Sequence, residues 1–132
     1  MILVDTDVFS FVFKESPLAK PYSRHLNNPE LCISFVTEAE LFVWAEVYKW
    51  GADRVRALED RIGRFTILGV RPGMARVFAR IVAEGRRIGR QPSFGDVWIA
   101  ATAIAYDIPL VTHNRQDFET IDGLRVISEG GN

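Results

Sequence analysis

The sequence is poor in cysteine, in lysine and in long apolar runs. Cys32 is the only cysteine, which excludes an intrachain disulfide bond and a cysteine-based zinc site and favours a reducing compartment. The longest apolar runs, at 2–4 and 97–105, are far shorter than the roughly 20 residues that a membrane span requires. No basic stretch precedes an apolar one at the N-terminus, so no signal peptide is predicted. We therefore expect a cytoplasmic protein.

The overall amino-acid composition is that of an ordinary folded domain. Of the 132 residues, 48% are hydrophobic and 25% are charged, and there is no internal repeat or linker-like segment. A chain of this length suits one hydrophobic core. We predict one domain over 1–132, in which about 129–132 form a frayed tail.

The net charge of −1 conceals an uneven distribution along the chain. The segment 53–90 contains ten arginines and four acids, a balance of +6, whereas the rest carries −7. Arginines outnumber lysines thirteen to three, and the planar guanidinium group suits phosphate oxygens. This segment forms either solvated helix faces or a cationic surface that binds a phosphate backbone. The candidate RNA-binding residues are Arg76, Arg80, Arg86, Arg87 and Arg90.

Short apolar runs alternate with helical periodicity along the whole chain. This alternation predicts an α/β fold in which helices flank a central parallel β-sheet. The predicted strands are 2–4, 31–36, 65–68, 109–111 and 124–127. The predicted helices are 7–13, 18–27, one opening at Thr37, 54–63, one from Pro72 to about Arg87, one from Ser93 and a turn at 114–118.

Several acids follow the predicted strands closely. Asp5 ends the first strand, and Glu40 and Asp117 come shortly after the second and the fourth strands. Because parallel strands end at one edge of the sheet, these acids should converge, and Asp96 can join them from a helix start. An alternative is that each acid stabilises a helix N-terminus, since Thr37, Ser93 and Asn114 each precede an acid by three residues.

A group of carboxylates at one edge requires a counter-charge. Neighbouring carboxylates repel each other and partly protonate unless a cation lies among them. Mg²⁺ prefers oxygen ligands and keeps several waters, and it can activate water and stabilise charge on a phosphate. The acidic pattern therefore favours phosphodiester hydrolysis.

Four motifs in order resemble those of PIN-domain proteins of the VapC toxin type, from toxin–antitoxin pairs. The motifs are Val4-Asp5-Thr6-Asp7, Thr37-x-x-Glu40-Leu41, the segment 96–103 that begins with Asp96, and the segment 109–118 that contains Asn114 and Asp117. Each motif alone is weak, but the ordered set covers nearly the whole chain. Glu38 also falls in the second motif, about 200° away from Glu40 on a helix, and the motif favours Glu40.

The resemblance implies a PIN-like fold and an endoribonuclease that depends on Mg²⁺ or Mn²⁺. It implies RNA as the substrate, an inhibiting VapB-type antitoxin as a protein partner, and a homodimer. Asp5 and Asp96 would be the core metal ligands, Glu40 a third, and Asp117 a fourth that binds directly or through water. Thr6 and Asn114 would support these acids by hydrogen bonds.

Two other functions fit parts of the sequence. Asp5-Thr6-Asp7-Val8 also fits a haloacid-dehalogenase-type phosphatase, whose chemistry wants a lysine and a later acidic pair beside the nucleophile; the chain's only lysines are Lys14, Lys20 and Lys49. A PIN-like module that binds RNA or a partner without cutting is the other alternative. Cleavage of RNA that stops with EDTA would exclude the module.

The remaining conspicuous side chains are aromatic or imidazole groups. Helical spacing predicts that Trp44, Tyr48, Trp50 and Trp98 are core or dimer contacts. His113 lies beside the predicted site and can aid proton transfer, although a solvated loop position is the simpler interpretation.

Overall fold

Among the described residues, five parallel strands form one sheet at the centre of the molecule. The computed structural model describes residues 1–130. The strand order is β3-β2-β1-β4-β5, and every neighbouring pair is parallel. The strands are β1 (Ile2–Val4), β2 (Leu31–Ser34), β3 (Thr66–Leu68), β4 (Leu110–Val111) and β5 (Val126–Ile127). The predicted α/β fold with a central parallel sheet is confirmed.

Within residues 1–130, six α-helices and one 3₁₀ helix connect the strands. They are α1 (Thr6–Phe13), the 3₁₀ helix (Pro17–Tyr22), α2 (Phe35–Val47), α3 (Ala52–Ile62), α4 (Met74–Ile88), α5 (Phe94–Ala105) and α6 (Arg115–Phe118). Within the described part of the chain, none of these helices has the length and hydropathy of a membrane span.

The three central strands, β1, β2 and β4, are buried on both faces. Side chains alternate along a strand, so Leu3 and Cys32 enter one hydrophobic cluster, whereas Val4 and Ile33 enter another on the opposite face. The first cluster contains residues of α4, α5 and α6, and the second contains residues of α1, α2 and α3. Each fully buried aliphatic side chain contributes roughly 1.5–3 kcal/mol to folding.

The strand order creates a crevice beside the end of β1. From β1 the chain moves outward to β2 and β3, then returns to β4 on the other side of β1. Ligands of open α/β sheets bind at such a switch point, beyond the carboxyl ends of the strands. Val4 pairs with Val111, so the next residues, Asp5 and Thr112, emerge side by side.

Two helices, α2 and α4, begin at residues other than those predicted. The second helix begins at Phe35 because Ser34 caps it, its Oγ accepting the N–H of Val36 at 3.0 Å. The prediction that Thr37 opens this helix was therefore wrong. Pro72 precedes α4 rather than joining its first turn, since Gly73 with φ 87° is the N-cap.

Two other expectations also changed. The predicted helix 18–27 is a short 3₁₀ helix that ends at Tyr22 and contains Pro21, which has no N–H to donate. In the predicted tail, Glu129 is well bonded, because its carboxylate accepts from Arg24 at 2.7 Å and from His25 at 2.8 Å. Residues 131–132 of that tail lie outside the described residues.

The three tryptophans pack against the hydrophobic clusters, in agreement with the prediction of core positions. Trp44 and Trp50 pack against one hydrophobic cluster and Trp98 against the other. Tyr48 is 69% exposed, so it is a surface residue and not part of the core.

Candidate active site

Asp5 is a carboxylate buried at the crevice. It ends β1 and caps α1, and only 5% of its surface is exposed. Its Oδ1 accepts the N–H of Thr6 at 2.8 Å, and its Oδ2 accepts the hydroxyl of Thr112 at 2.6 Å. Burial raises the pKa of Asp5 to about 8, and the charges of Asp7 and Asp96 add to this rise. The protein therefore holds Asp5 where its negative charge is poorly compensated.

Two threonines position Glu40. Its Oε1 accepts the hydroxyl of Thr6 at 2.7 Å, and Thr6 Oγ1 lies 2.9 Å from Thr37 Oγ1. Since the single hydroxyl proton of Thr6 goes to the carboxylate, Thr37 donates to Thr6. Thr37 is thus buried as part of a polar chain. The capping interpretation of Thr37 and Glu40 was wrong, because Ser34 caps this helix and Thr37 bonds to Thr6.

A glycine lets Glu40 approach the start of α5. A methyl group at Gly95 would lie 3.1 Å from Glu40 Oε2, closer than most side chains tolerate. In α5, Ser93 Oγ accepts the N–H of Asp96 at 3.2 Å, so the serine caps this helix as predicted. The carboxylate of Asp96 lines the crevice together with Glu40. Burial raises the pKa of Asp96, with smaller contributions from Asp117, Glu40 and Asp7.

Asp117 and Asn114 lie on the β4 side of the crevice. Asp117 is exposed, and it is the neighbouring charge with the largest effect on the pKa of Asp96. Asn114 lines the crevice, and its backbone N–H donates to Thr112 Oγ1 at 3.1 Å. Among residues 1–130, the Asn114 side chain makes no hydrogen bond to the acids, so its support comes from the backbone.

Together these residues form an acidic pocket of about 360 Å³. It is lined by Asp5, Thr6, Asp7, Glu40, Val43, Trp44, Asp96 and Asn114. Over 1–130, no lysine or arginine forms an ion pair with Asp5, Asp7, Glu40, Asp96 or Asp117. Such a group of oxygen donors without a counter-charge fits a hard divalent cation.

The pocket is not a ready-made cage for a dehydrated ion. In the described part of the chain, no group of three or more Asp, Glu, His or Cys side chains is arranged to hold a metal by itself. Mg²⁺ commonly uses one or two carboxylates and retains several waters. The donor set therefore fits a partly hydrated ion.

Comparison with known proteins gives the family. Residues 2–124 match the family model of the PIN domain. This chain belongs to the PIN-domain family. Ribonuclease VapC2 of Haemophilus influenzae is 32% identical over 123 residues, which cover 93% of each chain and place this one in the VapC group. The tRNA(fMet)-specific endonuclease VapC of Shigella flexneri is 31% identical, again over 93% of each chain.

The fold agrees with this assignment. VapBC-5 of Mycobacterium tuberculosis, a member of the VapBC family of toxin–antitoxin systems, superposes with a TM-score of 0.73 at 27% identity. The match covers 96% of this chain and 96% of that one. Membership of the PIN family leaves the phosphatase interpretation of Asp5 and Asp7 without support.

Two polar residues of this PIN domain were not among the predicted site residues. Asp7 lines the pocket, with Oδ1 accepting from Val8 N at 2.6 Å and Oδ2 from His113 N at 3.0 Å. Burial raises the pKa of Asp7. Thr112 holds Asp5 directly. The available signals were the position of Asp7 two residues after Asp5 and that of Thr112 at a strand end.

The predicted RNA-binding arginines of the PIN domain are all exposed, and they occupy different surroundings. Arg90 donates to Gln116 O at 2.7 Å and lines a small depression with Asp117. Arg87 pairs with Glu84 on the same helix, and Arg80 donates to Asp122 O at 3.4 Å. Arg90 therefore shares a pocket with a predicted site acid.

His113 is not the solvated loop residue that the sequence favoured. It is half-buried, its Nδ1 lies 2.7 Å from the hydroxyl of Tyr22, and its ring meets that of Phe11 edge to face. The loop of this PIN domain after β4 is thus fixed from the interior of the protein.

Proposed function

We propose that this protein is a divalent-metal-dependent endoribonuclease that acts as the toxin of a toxin–antitoxin pair. The observation that carries the proposal is the pocket of carboxylates around the buried Asp5, with which no cationic side chain forms an ion pair among residues 1–130. It occupies the switch point of a PIN fold whose relatives are ribonucleases.

In this proposal Asp5 and Asp96 hold Mg²⁺ or Mn²⁺, with Glu40 as a third ligand and Asp117 as a fourth, direct or through water. A bound divalent ion lowers the pKa of a water molecule and offsets the charge that develops on phosphate oxygens. The protein's own contribution is orientation. Thr112 fixes the carboxylate of Asp5, and Thr6 fixes that of Glu40.

The relatives support a structured RNA as substrate and a protein as inhibitor. The Shigella flexneri relative is specific for tRNA(fMet), and the Mycobacterium tuberculosis neighbour belongs to a toxin–antitoxin system. We extend both properties to this protein as proposals: initiator tRNA as the first RNA to test and a VapB-type antitoxin as the partner. A homodimer and a cytoplasmic location are further parts of the proposal.

The decisive experiment incubates the purified protein with initiator tRNA and with a control RNA. Cleavage should require Mg²⁺ or Mn²⁺, stop with EDTA and return when the ion is added back. An Asp96→Asn protein purified in parallel controls for contaminating nucleases. Binding of RNA without cutting would instead support the non-catalytic module, and cleavage that persists in EDTA would contradict the metal-dependent mechanism.

A further inference from the structure

A buried tyrosine contacts the loop that holds the acids. Tyr22 ends the 3₁₀ helix and has no exposed surface. Its hydroxyl lies 2.7 Å from His113 Nδ1, 3.4 Å from Thr112 O and 3.1 Å from Glu129 N. All three partners belong to segments that follow the last two strands of the sheet.

The hydrogen bonds at this hydroxyl couple Tyr22 to the tautomer of His113. The N–H of Glu129 donates to the tyrosine oxygen, which leaves the tyrosine one proton to give. This proton has two acceptors within reach: it goes either to His113 Nδ1, whose ring then carries its proton on Nε2, or to Thr112 O while a proton on Nδ1 is donated to the tyrosine oxygen. In either arrangement the tyrosine hydroxyl holds the His113 ring in one tautomer.

The same loop is attached on its other side to two acids of the pocket. Thr112 donates its hydroxyl to Asp5, and His113 donates its backbone N–H to Asp7. The N–H of Asn114 donates to Thr112 Oγ1. Any shift of residues 112–114 therefore moves the groups that orient Asp5 and Asp7.

The C-terminal segment 128–130 packs against the 112–114 loop. A methyl group at Gly130 would lie 2.5 Å from His113 O, so only glycine fits without displacing the loop. Arg24 and His25 bind the carboxylate of Glu129 and so hold the segment in place. Gly130 thus packs closely against the loop, and the N–H of Glu129 donates to the tyrosine hydroxyl.

We propose that Tyr22 is a positioning residue. Through His113 and Thr112 it holds the 112–114 loop, and with it Asp5 and Asp7, in the arrangement that the reaction needs. The catalytic consequence rests on the proposed ribonuclease function, but the contact between Tyr22 and His113 does not. A purely structural role would instead make Tyr22 one more side chain of the core.

The test is Tyr22→Phe, which keeps the ring and removes only the hydroxyl. ¹⁵N NMR of the imidazoles should show one neutral tautomer of His113 in the parent protein and a mixture in the variant. A His113→Asn protein assigns the signal, because the chain has only two histidines. For RNA cleavage we expect kcat to fall roughly tenfold with KM almost unchanged, since orientation and not binding is lost.

Tyr106→Phe is the matched control. Its hydroxyl donates to Gly69 O at 2.9 Å, outside the residues that line the acidic pocket, so kcat should not change. An unchanged tautomer, or an unchanged kcat in Tyr22→Phe, would overturn the proposal. Equal losses of kcat in both tyrosine variants would do the same. If the parent protein cuts no RNA, the ribonuclease proposal fails while the tautomer still tests the contact.

A second variant approaches the loop from the other side. Gly130→Ala should displace His113 and lower kcat, whereas Gly51→Ala, with open space around its Cβ, should not. If Tyr22→Phe does not fold, the comparison of Gly130→Ala with Gly51→Ala tests whether the position of the loop affects kcat. Normal kcat in a folded Gly130→Ala protein would contradict a loop held from both sides.

Discussion

The acidic pocket and the arginine-rich surface of α4 carry opposite charges in very different surroundings. Asp5 is buried and bonded to a neutral hydroxyl and a backbone amide. The side chain of Arg87 is 70% exposed and pairs with Glu84 one turn away. Water compensates charge at the surface, whereas burial without an opposite charge is costly.

The comparison indicates that the charges of the acidic pocket lower the stability of the fold, whereas those on the surface of α4 do not. Removing an arginine from α4 should change little in the folded protein, because solvent already surrounds it. Removing an acid from the pocket should relieve repulsion and also destroy the proposed cation site. The two regions therefore respond differently to the same kind of substitution.

The largest expected effect comes from Asp5→Asn and Asp96→Asn. Each substitution removes a proposed ligand, so metal-dependent RNA cleavage should fall below detection, while melting in EDTA shows that the protein still folds. Asp53→Asn is the control, because Asp53 lies on the surface beside Arg56. Activity near the parent level in either pocket variant would remove that residue from the ligand set.

The next effect concerns Glu40→Gln, with Glu38→Gln as its control. Glutamine still accepts the hydroxyl of Thr6 but replaces a charged donor by a neutral one. Cleavage should fall roughly a hundredfold, equivalent to a few kcal/mol of transition-state stabilisation. Glu38 is not part of the pocket lining, so its variant should be nearly silent. Similar rates for both variants would show that the charge of Glu40 is not needed.

The stability of the metal-free protein should depend on pH through Asp5. Its pKa in the folded protein, about 8, lies above the ordinary value of 3.8, so the folded state retains a proton that the unfolded chain releases. This group therefore destabilises the protein progressively as pH rises from about 4 to about 8, with no further change above the folded pKa. Mg²⁺ should reduce this loss because it stabilises the ionised carboxylates.

The comparison of the parent protein with Asp5→Asn isolates that effect. In EDTA, the melting temperature of the variant should exceed that of the parent by several degrees near pH 7. The gap should narrow towards pH 4. A gap that is constant across this range would mean that Asp5 does not titrate as its burial implies.

The smallest effect is expected from the arginines. Neutralising Arg90 to glutamine should weaken RNA binding and reduce the slope of log affinity against log salt by about 0.7 for a single strand. Arg86→Gln is the matched control on the same basic segment. If the triple replacement of Arg76, Arg80 and Arg87 leaves affinity and slope intact, that face of α4 is only solvated or contacts a protein partner.

Local sequence patterns were sufficient where one signal dominated. The apolar run 2–4 became a buried strand, and Ser93 became the cap of α5, because each depends on neighbouring residues alone. They failed where two signals competed. Ser34 and Thr37 both suit a helix start, and Ser34 prevails because Thr37 is buried against Thr6.

In the candidate site, too, some features were predictable from local sequence and others depended on contacts between distant segments. The positions of Asp5, Glu40, Asp96 and Asp117 after strands or at a helix start were visible, since parallel strands end at one edge. Asp7, although part of the first motif, was not among the predicted site residues, because its second partner, His113, is 106 residues away. Arg90 could not be separated from the other four arginines until α6 was in place beside it.

By itself, the sequence determined the parallel α/β sheet and the edge where the acids gather. Hydrophobic periodicity and strand–acid spacing are local properties, and they persist whatever the rest of the chain does. Tertiary structure alone decided which polar groups hold those acids. The hydroxyls of Thr112, Thr6 and Tyr22 find their partners only after folding brings distant segments together. Burial in that assembly, rather than residue type, raises the pKa of Asp5.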